Sequence, residues 1–514
     1  MQQQKYPVLI CGAGPCGLAA SYVLNQFGIN NLIIEKHPGT SKHPKARGVN
    51  VRTMEFFHNW GLEDEIRQHE LPIKARRILW MDEIQGQILA EIAVDAKQNK
   101  YSPTTGCSVP QNFIEDVLVK ALKKSQHSEL NFATELMNFS QHEDHIVCQL
   151  LDKNTNKKYE VACEYLIAAD GAHSSIRNAL NIPMLGVPSL GTYLTIYAHA
   201  DLSLWLKDKQ AVVYTLASKS QMGHFLMAVD HIDKWIFGKY LEDPATKITP
   251  DYCNSVIQSF VNGKKIPLEL ISSSTWDMAA LNAEKYQNGR IFLVGDAAHR
   301  LPPTGGMGMN TGFAGAQNLA WKLGYVLNNY ADESLLKTYE EERQPVATYT
   351  LEWASRNAKR IFNMLDAYRK GDLQLFQELA KDQDQHVNHT GLDLGMVYLS
   401  GAIYSENHAP VAVDANTYNP ASTPGMRAPH CEIMVNGKSQ SILNLFQDKY
   451  VLLLSQNAQV SPNSLPIPAS YPLKSYRHKV DFADINNDYV QYYNLDTYQA
   501  ILVRPDGHIA FRMA

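Results

Sequence analysis

The stretch that most constrains this chain runs from Lys5 to His37. Residues 6–11 (YPVLIC) read as a short, fully buried strand, and Gly12-Ala13-Gly14-Pro15-Cys16-Gly17 follows at once. Leu18, Ala19, Ala20, Tyr22, Val23 and Leu24 then give a helix with apolar residues on more than one side, and a second apolar run, 31–34, ends at Glu35. This is a GxGxxG loop in its required setting, between a strand and a helix, with an acid closing the next strand. Gly12 permits the tight turn. Gly14 lets the backbone approach a pyrophosphate, and Gly17 lets the helix pack close to the strand. The helix start offers free N–H groups and a positive dipole end to that pyrophosphate. Glu35, followed by Lys36, is placed to accept hydrogen bonds from a ribose diol. The unit demands an α/β fold that binds an adenine dinucleotide, and it does not choose between NAD and FAD.

At 514 residues the chain should hold several domains, at roughly 100–200 residues each. A net charge of −5 with both signs interspersed points to neither a nucleic-acid nor an anionic-membrane partner. No apolar run approaches the ~20 residues of a membrane span, and the opening residues run straight into a core strand without a signal pattern. The seven cysteines are scattered, odd in number and form no CxxC pair, which suits reduced thiols in a cytoplasmic protein. Cys16 sits at a helix start, where packing beside the phosphate loop is the expected role.

A polar loop, 37–47, leads to GVNVRTMEFF at 48–57, where Thr53 is predicted to cap a helix that Gly61 closes. Arg47 and Arg52 lie close enough to the dinucleotide loop to contact an anion. Residues 78–94 read as a β-hairpin of a second sheet. A helix opens at 109–115, and strands near 130–137, 145–151 and 159–168 return to the first sheet. The last of these runs into Asp170-Gly171, and Ser174 can cap a helix carrying Arg177. Short β-rich runs at 193–200, 211–217, 224–229 and 235–240, with a helix near 250–261, indicate a separate α+β domain. Its aromatic density would suit a flat ligand. A strand at 290–294 then meets Gly295-Asp296, and the glycine-rich loop 302–312 precedes a long small-residue helix. This is a second anion or dipole site, in which His299 is expected to hold the loop rather than to react. A break is expected at Pro345 in the helix 335–365. Residues 366–400 look helical, 407–429 read as a linker, and 504–512 read as a final hairpin turning at Asp506-Gly507.

Taken together, GAGPCG at 12–17, ARGVNVRTME at 46–55, ADGAHSSIR at 169–177 and GDAAHRLPPTGGMGMNTG at 295–312 resemble the class A flavin-dependent aromatic hydroxylases, the group of para-hydroxybenzoate hydroxylase and phenol hydroxylase. PGMRAPH at 424–430 and RPDGHIAFR at 504–512 are similar to the subgroup with a thioredoxin-like C-terminal domain. The implied fold class is α/β: a Rossmann-like FAD-binding domain of the GR2 type (1–77, 95–185 and 278–365), an inserted α+β substrate domain (78–94 and 186–277), a helical connector (366–404) and a thioredoxin-like domain (405–514). The resemblance implies bound FAD. Gly12, Ala13, Gly14, Pro15, Cys16 and Gly17 would cradle its pyrophosphate, and Glu35 with Lys36 its adenosine ribose. Arg47 and Gln111 match FAD-contacting positions, and Asp170 lies in the motif tied to both FAD and NAD(P)H. Gly295 and Asp296 would hold the ribityl chain. Pro303, Gly306, Gly308, Met309 and Asn310 would surround the isoalloxazine, the last three through backbone N–H groups.

NADPH or NADH would reduce the flavin, oxygen would add at C4a, and the distal oxygen would attack an electron-rich ring. The implied partners are a small phenolic or polycyclic aromatic substrate and O2. The terminal domain, without CxxC, would serve packing or a homodimer contact. Two other readings accompany this one: oxidative inactivation or Baeyer–Villiger-type cleavage of an aromatic antibiotic, and a flavoprotein that binds its ligand without turnover.

Overall fold

The computed structural model describes residues 4–93, 100–207, 209–218, 220–230, 232–404, 413–495 and 497–514. The opening residues 1–3, Val94 at the end of the expected hairpin and residues 407–412 of the expected linker lie outside these.

The opening unit forms as its pattern requires: β1 (Gln4–Cys11), α1 (Pro15–Gln26) and β2 (Asn31–Glu35). β1 pairs in parallel with β2 on one side and with Lys157–Ala168 on the other. Ser128–Phe132 and Ile291–Leu293 extend the parallel order at either side. Val8, Leu9 and Ile10 are fully buried, as expected for a parallel strand covered on both faces. The expected strand near 130–137 is two strands. Ala133, with φ +52°, turns the chain between Ser128–Phe132 and Thr134–Gln141, and the second pairs antiparallel with Ile146–Asp152. The carboxyl ends of four parallel strands carry Gly12, Glu35, Asp170 and Gly295-Asp296, the edge at which open α/β sheets bind ligands.

A seven-stranded sheet stands apart from the first, in the order Leu268–Asp277, Thr192–Ala200, Lys234–Leu241, Phe225–Ala228, Val213–Leu216, Arg77–Met81, Ile88–Ala93. The hairpin Arg77–Met81/Ile88–Ala93 joins it through parallel pairing with Val213–Leu216. Leu194, Ile196 and Ala198 point to the core shared with the helix Pro250–Phe260, so Tyr193, Thr195 and Tyr197 point to the opposite face. Leu268–Asp277 carries no strand signal in its run of three serines, yet it is an edge strand paired along the whole of Thr192–Ala200.

Three local expectations are corrected. Asn50, not Thr53, caps the helix Val51–Asn59: its Oδ1 accepts the Thr53 N–H at 2.9 Å. The glycine-rich loop ends earlier than expected, because the helix Met307–Leu327 starts five residues before Gly312, with Gly306 at its N-cap in the left-handed region, φ +66°. The helix Ser334–Lys370 runs unbroken through Pro345. Proline removes the donor to the Glu341 carbonyl, and Ser400 Oγ donates to that carbonyl instead, at 3.4 Å. The next two residues are anchored by distant partners: Glu342 by Lys322 and Arg504, and Arg343 by the Thr311 carbonyl at 3.2 Å.

The described part of the expected linker, 413–429, is not a free connector. Tyr418, Met426, Arg427 and Ala428 are buried, and Arg427 pairs with Glu55 of the helix Val51–Asn59. Beyond it a four-stranded sheet runs Leu473–Arg477, Tyr450–Leu454, Ala500–Val503, Ile509–Met513, its first pair parallel and the others antiparallel. The final hairpin turns at Asp506-Gly507 as expected, with Gly507 at φ +76°.

Candidate functional site

The three fingerprint glycines have different reasons for lacking a side chain. A Cβ on Gly12 would lie 2.3 Å from the Ala169 carbonyl oxygen, and one on Gly17 would lie 2.0 Å from that of Gly12. Both are packing requirements. A Cβ on Gly14 would meet nothing within 4 Å, because this residue faces the cavity. Gly14 caps α1, and Pro15 at the first helical position has no N–H, so Cys16 and Gly17 present the donors without intrahelical partners. Glu35 is already oriented: its carboxylate accepts the Ala13 and His37 N–H groups, each at 3.0 Å. Lys36 lines the cavity beside it.

Cys16 is a packing residue. A Cβ on Gly295 would lie 2.7 Å from its Sγ, and one on Gly312 would lie 2.4 Å away, so the sulfur fills the space between the first turn of α1, the helix Met307–Leu327 and the Gly295 turn. Burial pushes the thiol far above its ordinary range, which removes thiolate chemistry. Asp170 Oδ2 accepts the Ile176 N–H at 3.3 Å, while its buried Oδ1 meets no partner among the described residues. Asp296 lines the cavity with its side chain exposed there. Desolvation by the cavity walls raises its carboxyl above the ordinary value, and Lys45 and Arg300 oppose the shift.

At the second helix start, Pro303 accepts the Gly306 N–H at 3.1 Å, leaving Met307, Gly308 and Met309 with N–H groups that have no intrahelical partner. Gly308, like Gly14, has open space where a Cβ would stand. Asn310 lies one residue further along, and it is the side chain of this residue that acts here. Its Oδ1 accepts the Asn50 N–H at 3.0 Å, and its Nδ2 donates to Gly48 O at 3.0 Å and Gly306 O at 2.6 Å. Asn50, absent from the sequence-based set, is thus part of the site. His299 is buried, and burial with nearby Arg343 holds it down to about 3, which keeps the ring neutral.

Two expected cofactor contacts, Arg47 and Gln111, line the cavity and are also tied to protein partners. Arg47 Nε donates to Ser108 Oγ at 2.8 Å, and its terminal nitrogens donate to the carbonyls of Ala228 and Val229 in the seven-stranded sheet. Burial lowers this guanidinium to about 9, opposed by Asp230. Gln111 opens its helix and ties the loop, with Ala46 N–H donating to its Oε1 at 3.3 Å. His43, four residues before Arg47, meets Ser272 Oγ at 2.8 Å and Thr195 Oγ1 at 3.2 Å. Segment 43–47 is therefore the seam between the dinucleotide cradle and the second sheet, which no local pattern announces.

Both helix starts, Glu35, Asp170 and Asp296 line one cavity of about 1770 Å³. Its far part lies between the outer face of the seven-stranded sheet (Tyr193, Phe225, Met227) and the long helix (Ile361, Phe362, Leu365). Ordinary ligand pockets hold about 300–1,000 Å³, so there is room for two ligands end to end. The residues fit a flavin dinucleotide. Gly14 and Gly308 leave space for backbone contact, Glu35 is aimed, and Asp170 and Asp296 offer acceptor oxygens without donors.

Comparison with known proteins agrees with this geometry. A family profile described as FAD binding domain matches residues 5–354, and one described as aromatic-ring hydroxylase, C-terminal, matches residues 421–514. The chain is 31% identical over 541 residues to the tetracenomycin B2 monooxygenase-dioxygenase of Streptomyces olivaceus, covering 100% of this chain and 96% of that one. It is 29% identical over 570 residues to a 2,4-dichlorophenol 6-monooxygenase of Cupriavidus pinatubonensis, covering 98% and 92%. Among solved structures, aklavinone-11 hydroxylase in a ternary complex with FAD and aklavinone matches with a TM-score of 0.85 at 28% identity, covering 100% of this chain and 96% of that one. Fold, cradle and family agree: the chain belongs to the class A FAD-dependent aromatic-ring hydroxylases and is a flavoprotein monooxygenase.

Proposed function

We propose that this enzyme hydroxylates a multi-ring phenolic substrate with NAD(P)H and O2. The observation that carries the choice of a multi-ring over a single-ring substrate is the cavity of about 1770 Å³, whose far part is a broad apolar slot against the seven-stranded sheet. The relatives include one named for 2,4-dichlorophenol and others named for tetracenomycin B2 and aklavinone, so the family alone does not make this choice.

The residues divide the work along the cavity. Gly12 to Gly17 receive the pyrophosphate, with Glu35 and Lys36 at the adenosine ribose. Asp170, Gly295 and Asp296 take the polyol chain, and Pro303, Gly306, Gly308 and Met309 border the ring, with Asn310 holding that loop. Bound FAD supplies the redox chemistry, accepting hydride from NAD(P)H and activating O2 for transfer of one oxygen atom. The N–H groups of Met307, Gly308 and Met309, at the positive end of a 21-residue helix, are aimed to stabilise negative charge beside them. Tyr193, Phe225 and Trp276 give flat walls that orient an aromatic ring and exclude water. The chain divides in this reading as the resemblance implies, with the sheet of 78–94 and 186–277 as the substrate domain. The thioredoxin-like reading of 405–514 is supported by the mixed four-stranded sheet with its closing antiparallel hairpin.

The test is NAD(P)H oxidation by the holoenzyme under 18O2 against hydroxylated anthraquinones and naphthacenes, with single-ring phenols alongside. Multi-ring phenols should accelerate oxidation and gain one labelled oxygen by mass. Acceleration and labelling by single-ring phenols alone would reject the substrate class.

A further inference from the structure

Gly305 is gripped at both of its backbone polar groups by a segment 80 residues away. Its N–H donates to His386 Nε2 at 3.2 Å, and its carbonyl lies 3.1 Å from His389 Nε2 (separations of 81 and 84 residues). His389 Nδ1 lies 3.0 Å from Asp393 Oδ1, which also accepts Asn50 Nδ2 at 2.7 Å. Asn50 cannot be turned around, because its Oδ1 accepts the Thr53 N–H. Asn50 N–H in turn meets Asn310, which holds Gly306. The bonds close a ring from Gly305 through His389, Asp393, Asn50 and Asn310 back to Gly306, the N-cap of the cavity helix.

Donor and acceptor rules fix the charges in this ring. The Gly305 carbonyl only accepts, so His389 Nε2 carries a hydrogen. Asp393 Oδ1 accepts from Asn50, and an ionised carboxylate has no hydrogen to donate, so His389 Nδ1 carries one too. His389 is therefore an imidazolium paired with a carboxylate, each about 7% exposed. His386 Nε2 accepts from Gly305, so that ring is neutral. The charged groups facing the pair are Asp393 on their own segment and Arg360 on the long helix. Burial works against the charge on His389, and Asp393 outweighs it and holds the imidazolium above its ordinary value. Burial, with His389 and Arg360, holds His386 down to about 4.

We propose that His386, His389 and Asp393 are positioning residues: a charged clamp that fixes the Gly305-Gly306 turn, and with it the N–H donors of Met307, Gly308 and Met309, and that releases the turn when His389 loses its second proton. With one proton left, either Nδ1 faces the Asp393 oxygen or Nε2 faces the Gly305 carbonyl as acceptor against acceptor, and one link of the ring fails. The inference rests on the placement of the flavin ring at this helix start.

The test uses the FAD holoenzyme and reads flavin absorption, flavin fluorescence and FAD affinity from about pH 6 to 10, across the ordinary imidazole value of about 6.5 and above it. The wild type should show a step above about 6.5, and Asp393→Asn should move it down by about one unit or more. His389→Gln should abolish the step and weaken FAD several-fold. Thermal unfolding on the same samples checks folding, and Asp393→Asn, which keeps the acceptor for Asn50, carries the test if His389→Gln does not fold. A flavin signal independent of pH, or a step that Asp393→Asn leaves in place, overturns the clamp. Gly308→Val separates the clamp from the placement beneath it. If it leaves the flavin spectrum unchanged, the ring is not at this helix and both fail. If it alters the spectrum while the Asp393 and His389 variants leave the step unmoved, the clamp alone fails.

Discussion

Two groups of carboxylates in this enzyme behave in opposite ways. At the seam with the C-terminal sheet, Glu342 accepts Lys322 and both terminal nitrogens of Arg504, each at 2.8 Å, and Asp506 accepts Arg504 at 2.6 Å. Nearby, Glu55 takes Arg427 together with Arg52. Every carboxylate there has a cation and directed hydrogen bonds. Burial pushes the Glu342 carboxyl up, but Arg504 and Lys322 outweigh it and hold the group down to about 2. In the cavity, Asp296 meets no hydrogen-bond donor among the described residues, and desolvation by the cavity walls leaves its carboxyl above the ordinary value. Glu342 is fully buried, whereas the Asp296 side chain is exposed within the cavity. A carboxylate whose acceptors are all used holds the fold together. One that is left without donors, at the carboxyl edge of a parallel sheet, is set for the hydroxyls of a ligand.

The contrast breaks most visibly at Glu342. Glu342→Ala leaves Lys322 and Arg504 with Asp506 as their remaining anion and should cost about 3–5 kcal/mol in denaturant unfolding. A loss below about 1 kcal/mol would mean that the seam is not held by these charges. The pH dependence of unfolding sharpens the same point. Glu342 titrates lower in the folded chain than in the unfolded one, so its contribution is complete above about 4.5, the ordinary value, and is lost as pH falls through about 2. Glu342→Gln should flatten the stability slope in that window.

Next in size is the pair of glycines in the phosphate loop. Gly17→Ala drives a methyl to 2.0 Å from the Gly12 carbonyl and should cost about 1–3 kcal/mol of stability. Gly14→Ala, with open space at its Cβ, should change stability by less than about 0.5 kcal/mol, as checked by unfolding of the apoprotein. At Asp296 the two readouts separate. Asp296→Asn should change the stability of the apoprotein by less than about 0.5 kcal/mol, because the side chain is exposed in the cavity, while weakening FAD by about tenfold, near the worth of one charged hydrogen bond.

What could be read from the sequence follows from the range of each interaction. The phosphate loop was legible because strand, glycines, helix and terminal acid lie within 35 residues and each has a local reason. Ser174 was legible as a cap for the same reason, its Oγ accepting the Arg177 N–H at 3.0 Å. Asn50 is not legible as the cap because Thr53, another capping residue three positions on, supplies the N–H that Asn50 accepts. Pro345 misled because the Ser400 hydroxyl that stands in for its missing donor lies 55 residues on. The motif places Arg47 at the cavity, and only the fold shows that its donors also reach carbonyls 181 and 182 residues away. The acceptors without donors, Asp170 Oδ1 and the Asp296 carboxylate, could be placed in a site from motifs, but only the fold shows that they have no protein partner.

The most direct test is an FAD titration of wild-type apoprotein and Gly14→Val in parallel, with unfolding followed on the same samples. The wild type should bind one FAD. Gly14→Val, whose side chain enters the cavity from an extended backbone, should lose binding by at least about tenfold, one hydrogen bond's worth, while unfolding as the wild type does. Equal FAD affinity in the two proteins would contradict the placement of the cofactor in this cavity.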